Sequence, residues 1–213
     1  MMHEPQFSHD FIRTLETLFS WRRDVRHFKK DPIPDVILNH LLSIACMAPS
    51  VGLSEPWRFI QVKTPKIKTE IYDLFKTTNK EAAQNYTSEQ QILYNNLKLS
   101  GLDDAPHHIA VFSEENPTQG MGLGRQTMPQ TTAYSTVMAI FSFWLAARAY
   151  GIGVGWVSIL PPQHVKEILK TPDHWNFIAY LCVGYPQFTQ DTPELENKGW
   201  EQRNPKRKEW IIR

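Results

Sequence analysis

Cysteine is scarce in this chain of 213 residues: Cys46 and Cys182 stand far apart and outside any CxxC pattern. That excludes a disulfide scaffold and a four-cysteine zinc site, and it suits a reducing cytosol. An excess of charge is missing too, since 23 Lys+Arg face 22 Asp+Glu for a net charge of +1. A generally basic nucleic-acid binder is therefore not expected. The eight histidines show no HExxH or other ligand spacing, so no metal is expected. No GxGxxG, Walker loop or GxSxG elbow occurs. The amino terminus mixes both charge signs without the apolar run of a signal peptide. The stretch worth testing for a membrane span is Tyr134 to Leu160, whose only charge is Arg148. Gly151, Gly153 and Gly155 interrupt it, so it reads as a buried helix, a glycine turn and a strand.

What is present is the material of one folded domain, 1–213, with 41% hydrophobic and 21% charged residues. Phe11, Leu15, Leu18 and Phe19 recur at helical spacing after Ser8 and predict a helix over 8–21. Pro34 opens a second helix that stops before Pro49, Arg58 to Val62 reads as a strand, and Thr64-Pro65 starts a third helix. Residues 77–90 are polar and poor in core residues, and 77–96 is a candidate lid. Thr87 with Gln90 makes a capping-box pattern for a helix running to about Ser100. His108 to Phe112, Gly155 to Leu160 and Phe177 to Val183 are further strands, and Pro161-Pro162 starts a helix between the last two. Residues 114–130 read as a long loop, and 187–213 as an extended C-terminal arm. The helix from Thr131 to Tyr150 is apolar nearly all round, so this chain or a second subunit must cover it. Helices and strands mix without a regular βαβ beat, which predicts α+β.

Three segments can carry chemistry. In Trp21-Arg22-Arg23-Asp24-Val25-Arg26, three guanidiniums in five residues suit a phosphate dianion, and equally a solvated helix end paired to surface carboxylates. Asp24 either neutralises its neighbours or is held there to move a proton. The loop Ala48-Pro49-Ser50-Val51-Gly52-Leu53-Ser54-Glu55-Pro56-Trp57 can bring backbone N–H groups to a planar ring or phosphate, or is a plain connector. Gly151 to Leu160 lets backbone approach a ligand closely, and its Ser158 sits in an otherwise apolar strand where the hydroxyl needs a partner.

Taken together, WRRDVRHF (21–28), APSVGLSEPWRF (48–59), LKLSGLDDAP (97–106), GLGRQTMP (122–129), WLAARAYGIGVGWVSIL (144–160), AYLCVGYP (179–186) and ELENKGWEQR (194–203) resemble the nitroreductase-like flavoprotein family. More narrowly, they resemble its flavin-consuming branch, the 5,6-dimethylbenzimidazole synthases. Leu53 and Glu55 stand where nitroreductases usually have Asn and Gln.

The resemblance implies a central mixed, mainly antiparallel sheet flanked by helices, in a cytoplasmic oxidoreductase. Reduced FMN would be bound as substrate and O2 would be the co-substrate. The products would be 5,6-dimethylbenzimidazole, the lower ligand of cobalamin, and erythrose 4-phosphate. By the same resemblance Asp24 and Ser158 are the catalytic positions. Arg22, Arg23, Asp24, Val25, Arg26, Pro49, Ser50, Val51, Leu97, Gly155, Ser158 and Arg203 are the flavin-binding ones. It further implies a homodimer with flavin at the subunit interface and a separate flavin reductase supplying FMNH2, with neither metal, nucleic acid nor membrane. Two other activities suit the same fold: an NAD(P)H-dependent nitroreductase or flavin reductase, and a non-catalytic flavin-binding protein.

Overall fold

The computed structural model describes residues 4–97, 101–208 and 210–213. Four antiparallel strands, β1 (Trp57–Gln61), β2 (His107–Glu114), β3 (Gly153–Val157) and β4 (Trp175–Gly184), form one sheet in the order β1-β2-β4-β3. The inner strands are apolar on both faces because both faces are covered. On one side Ile109, Val111, Leu181 and Val183 pack against α2 (Asp35–Ala45) and α5 (Thr131–Ala149). On the other, Ala110, Phe112, Tyr180 and Cys182 meet α3 (Pro65–Ala83) and α6 (Pro162–Leu169). The period of two along β2 and β4 thus feeds two cores, as the α+β expectation requires.

One polar pair sits inside the second core. His108 is buried, with Nδ1 3.1 Å from the Tyr180 hydroxyl and Nε2 3.1 Å from the Ala105 carbonyl oxygen. The neutral ring satisfies both contacts, donating to Ala105 and accepting from Tyr180. Burial pushes its pKa down to about 4.

Helix α1 (His9–Trp21) starts at Ser8, whose hydroxyl accepts the Phe11 N–H at 3.2 Å. It is amphipathic, yet none of its residues is buried. Phe11, Ile12, Leu15 and Phe19 stay partly exposed, as do Tyr134, Val137, Met138 and Phe141 on α5, and the Phe19 and Phe141 rings lie 6.0 Å apart. The described residues therefore leave the outer side of α5 only partly covered.

The capping box at Thr87 and Gln90 is closed in both directions and opens α4 (Ser88–Asn95). That helix stops short of the predicted Ser100, and residues 98–100 lie outside the described residues. The polar stretch 77–83, by contrast, continues α3. Residues 115–130 hold neither helix nor strand, as predicted. The first half of the C-terminal arm lies along residues 27 and 28, where Gln187 donates from its backbone to His27 O and from its side chain to Phe28 O, both at 2.9 Å. Among the described residues no helix is long and apolar enough to cross a membrane.

Candidate active site

Strand β3 is an edge strand, and Asp24 and Val25 occupy its free side, while Phe28 bridges to Pro186. Val25 N–H donates to Val154 O at 3.0 Å, and Asp24 makes a parallel bridge to Val154 beside an otherwise antiparallel sheet among the described residues. The Asp24 carboxylate is pinned at both oxygens. Oδ1 accepts the Trp156 N–H at 2.9 Å, and Oδ2 accepts Arg26 Nε–H at 2.9 Å. Two of the glycines predicted to admit a ligand admit this segment instead. A Cβ at Gly155 would stand 2.2 Å from Val25 O, and one at Gly153 would stand 2.8 Å from Val25 Cγ2. Trp144 adds a further hold: its Nε1–H donates to Arg23 O at 3.2 Å, and the Arg22 guanidinium lies 5.3 Å from the Trp144 ring centroid.

Arg22, Arg23, Arg26 and Arg203 line one cavity of about 160 Å³, together with Asp24 and Glu194. Four guanidiniums against two carboxylates leave an excess of two positive charges, the charge a phosphate monoester approaches at neutral pH. On two of these lining residues, Arg23 Nε and Arg26 Nη1 are buried without a hydrogen-bond partner, while the other Arg23 nitrogens donate to Arg22 O and Asp191 O. A buried N–H left unmade is costly, so these donors fit an anionic oxygen. Burial lowers the pKa of Arg22 and of Arg23, and for Arg23 the neighbouring Arg203 and Arg22 lower it further. A dianion in the cavity would relieve that repulsion. Glu194 and His27 were missing from the sequence reading of the site. Glu194 Oε1 lies 3.3 Å from His27 Nε2, and its side chain is only 9% exposed. The available signal was the acidic ELEN run, which reads from sequence as a solvated face.

The 48–57 loop lies elsewhere on the chain. Val51 N–H donates to Ser135 Oγ at 3.0 Å, near the N-terminus of α5, whereas the arginine segment sits beside Trp144. At a rise of 1.5 Å per residue those two anchor points are roughly 14 Å apart along the helix. Pro49, Ser50 and Val51 do not line the arginine cavity. The loop is strained: Leu53 and Glu55 have φ of 56° and 43°, a region that non-glycine residues rarely occupy and that gathers at functional sites. Glu55 Oε2 accepts from Gln119 Nε2 at 2.9 Å, and Ser50 Oγ accepts the Glu55 N–H at 3.1 Å. The carboxylate at position 55 thus ties this loop to the long 115–130 segment.

Two further predicted positions fall outside the cavity. Ser158 lies one residue beyond β3 and is exposed, not inside a strand as expected. The chain leaves the ladder after Val157 on its way to Pro161 and Pro162, neither of which has an N–H to continue it. Leu97 follows α4, half-buried, with its N–H on Tyr94 O at 3.1 Å. The structure therefore brings together Arg22, Arg23, Asp24, Arg26 and Arg203, with Val25 and Gly155 directly behind them.

The sequence profile of the Nitroreductase family matches residues 19–185. A 5,6-dimethylbenzimidazole synthase of Rhodospirillum rubrum is 50% identical over 201 residues, covering 94% of this chain and 95% of the relative. Another, from Rhodobacter capsulatus, is 46% identical, over 90% of this chain and 92% of the relative. Among solved structures, an oxidised iodotyrosine deiodinase bound to FMN and 3-iodo-L-tyrosine superposes with a TM-score of 0.72 at 26% identity, covering 93% of this chain and 97% of that one. With more than three quarters of the chain matched and half the aligned residues identical in a relative of similar length, this protein belongs to the Nitroreductase family.

Proposed function

We propose that this chain is a 5,6-dimethylbenzimidazole synthase that takes reduced FMN as substrate and O2 as co-substrate and releases the benzimidazole with erythrose 4-phosphate. The observation that carries the reading is the arginine cavity, with its excess of two positive charges and its unpartnered buried N–H groups. Relatives named 5,6-dimethylbenzimidazole synthase match 94% and 90% of this chain, which supports the reading.

In this reading Arg22, Arg23, Arg26 and Arg203 grip the phosphate of FMNH2 and thereby fix the flexible ribityl chain. Asp24 stands at the cavity's edge as a carboxylate, held in one orientation by the Trp156 N–H and by Arg26, and it accepts a proton from the substrate. Its side chain is 35% exposed, so the proton can pass on to water. Ser158, beyond the end of β3, offers a hydroxyl to orient the ring and the oxygen. When bound, the reduced flavin would supply the electrons for oxygen chemistry, and because it is consumed, a separate flavin reductase in the cytoplasm supplies each new molecule of FMNH2.

The site is completed by a second copy. The unburied apolar faces of α1 and α5 supply the contact, and the partner's 48–57 loop lies over the ring that one chain leaves uncovered. Reduced FMN mixed with the protein and air, then chromatographed, tests the function. A dimethylbenzimidazole peak supports it. Steady NAD(P)H oxidation with FMN retained replaces it with an ordinary reductase, and binding without turnover replaces it with a flavin carrier.

A further inference from the structure

The arginine cavity takes its fourth guanidinium from a part of the arm that no ladder holds. Residues 201–204 are neither helix nor strand, and Arg203 is exposed, whereas Arg22, Arg23 and Arg26 belong to the segment fastened to β3. Three residues before Arg203 the arm meets a different anchor. The Trp200 ring packs edge-on against Tyr86 at 5.4 Å and lies 6.1 Å from Tyr94, and those two tyrosines are 4.9 Å apart. Tyr94 is itself fixed, buried and with its hydroxyl on Asn79 Oδ1 at 2.7 Å. The Trp200 N–H donates to Leu195 O at 2.9 Å, which closes the short turn of α7 (Glu194–Asn197) and joins Trp200 to Leu195 on the cavity wall.

We infer that Trp200 is a positioning residue: its seat on the Tyr86–Tyr94 platform aims Arg203 into the arginine cavity and so sets selectivity for a flavin bearing a phosphate monoester over the same flavin without one. This rests on the flavin reading above. The aromatic platform belongs to the α3–α4 hairpin and the cavity to the 22–26 segment, and the arm is the span that touches both. A long, exposed arginine gains little from one distant anion unless its backbone is already placed, because ordering the arm would otherwise offset the contact. Trp200 places it before the ligand arrives. By reciprocity, a phosphate that draws Arg203 inward also steadies the hairpin on which Trp200 sits.

The test is anaerobic titration of reduced FMN and reduced riboflavin into the wild-type protein and its variants, with near-ultraviolet circular dichroism to confirm folding. Trp200→Ala should weaken FMN binding about tenfold, the effect of losing one charge-assisted hydrogen bond, while riboflavin binding changes less than about twofold. Tyr86→Ala, which removes the platform and leaves the arm intact, should give the same selective loss, and it decides the matter if Trp200→Ala does not fold. Trp200→Phe should restore most of the discrimination. In the double variant Trp200→Ala/Arg203→Ala, FMN should bind no more weakly than in Arg203→Ala alone, since both changes remove one interaction. Equal losses on the two flavins, an unchanged FMN-to-riboflavin ratio, or additive losses in the double variant would each overturn the assignment. A wild-type protein that binds neither flavin refutes the flavin reading itself, and the Trp200 role with it.

Discussion

Replacing Asp24 by Asn separates proton transfer from grip. The carboxylate accepts two hydrogen bonds, from the Trp156 backbone and from the Arg26 guanidinium. An amide keeps one: its oxygen can still accept the Trp156 N–H, but its NH2 then faces Arg26 Nε, donor against donor. A bond to a charged group contributes about 1.5–3 kcal/mol when buried. At 35% exposure of Asp24 solvent screening brings the loss below that range, to about 1 kcal/mol, a fall of about 2–4 °C in Tm for a chain of this size. The variant stays folded and its cavity becomes more positive by one charge, so uptake of reduced FMN should persist. Turnover should not persist, because a positioned acid or base contributes about 10²- to 10⁴-fold. The assay pairs anaerobic titration with the benzimidazole yield after air is admitted. A wild-type yield refutes the role of Asp24. Loss of binding together with loss of yield would show that Asp24 serves the grip and not the proton.

Other predictions follow from the same geometry. His108 is neutral in the folded chain down to about pH 4 but takes up a proton near pH 6.5 once unfolded. Its contribution is therefore present above pH 6.5 and lost as pH falls to about 4, about 3 kcal/mol in all, and denaturant titrations of His108→Gln should lack that part of the slope. Gly155→Ala drives a methyl group into Val25 O; thermal melts should show a loss of about 1–3 kcal/mol with weakened FMN uptake, and an unchanged melt would contradict the seating of Asp24 and Val25 on β3. Phe141→Asp places a charge on the joint α1–α5 face, and sedimentation should shift from dimer to monomer with loss of turnover. Within 77–96, limited proteolysis should be confined to the 84–87 turn between α3 and α4 and be slowed by FMNH2; unchanged cleavage counts against a lid there.

Much of the fold was legible because its signals are local. Ser8, the Thr87–Gln90 box and Pro65 each mark a helix start through their own neighbours, and the apolar runs of β2 and β4 mark strands covered on both faces. The continuation of α3 through 77–83 was less legible: Lys, Glu and Ala there favour helix without offering a buried stripe. The end of β3 before Ser158 was hidden because the strand's apolar pattern outlasts its pairing to β4. Within the site, the arginine cluster was plain in the sequence, but its support was not. The bond from Asp24 to the Trp156 N–H spans 132 positions and leaves no periodic trace. The glycines at 153 and 155 carried a signal that sequence alone attaches to a ligand, whereas Val25 is what comes close. Glu194, with its partner His27, was obscured by the polar composition of the arm.

A mass balance is the most direct measurement of what the arginine-lined site does to its flavin. Protein saturated anaerobically with reduced FMN is exposed to air, and every flavin and aromatic product is quantified from one sample. The arginine-lined site predicts that FMN disappears and dimethylbenzimidazole appears in its place, mole for mole, and that riboflavin under the same conditions survives. Full recovery of oxidised FMN, with no benzimidazole formed, would contradict it.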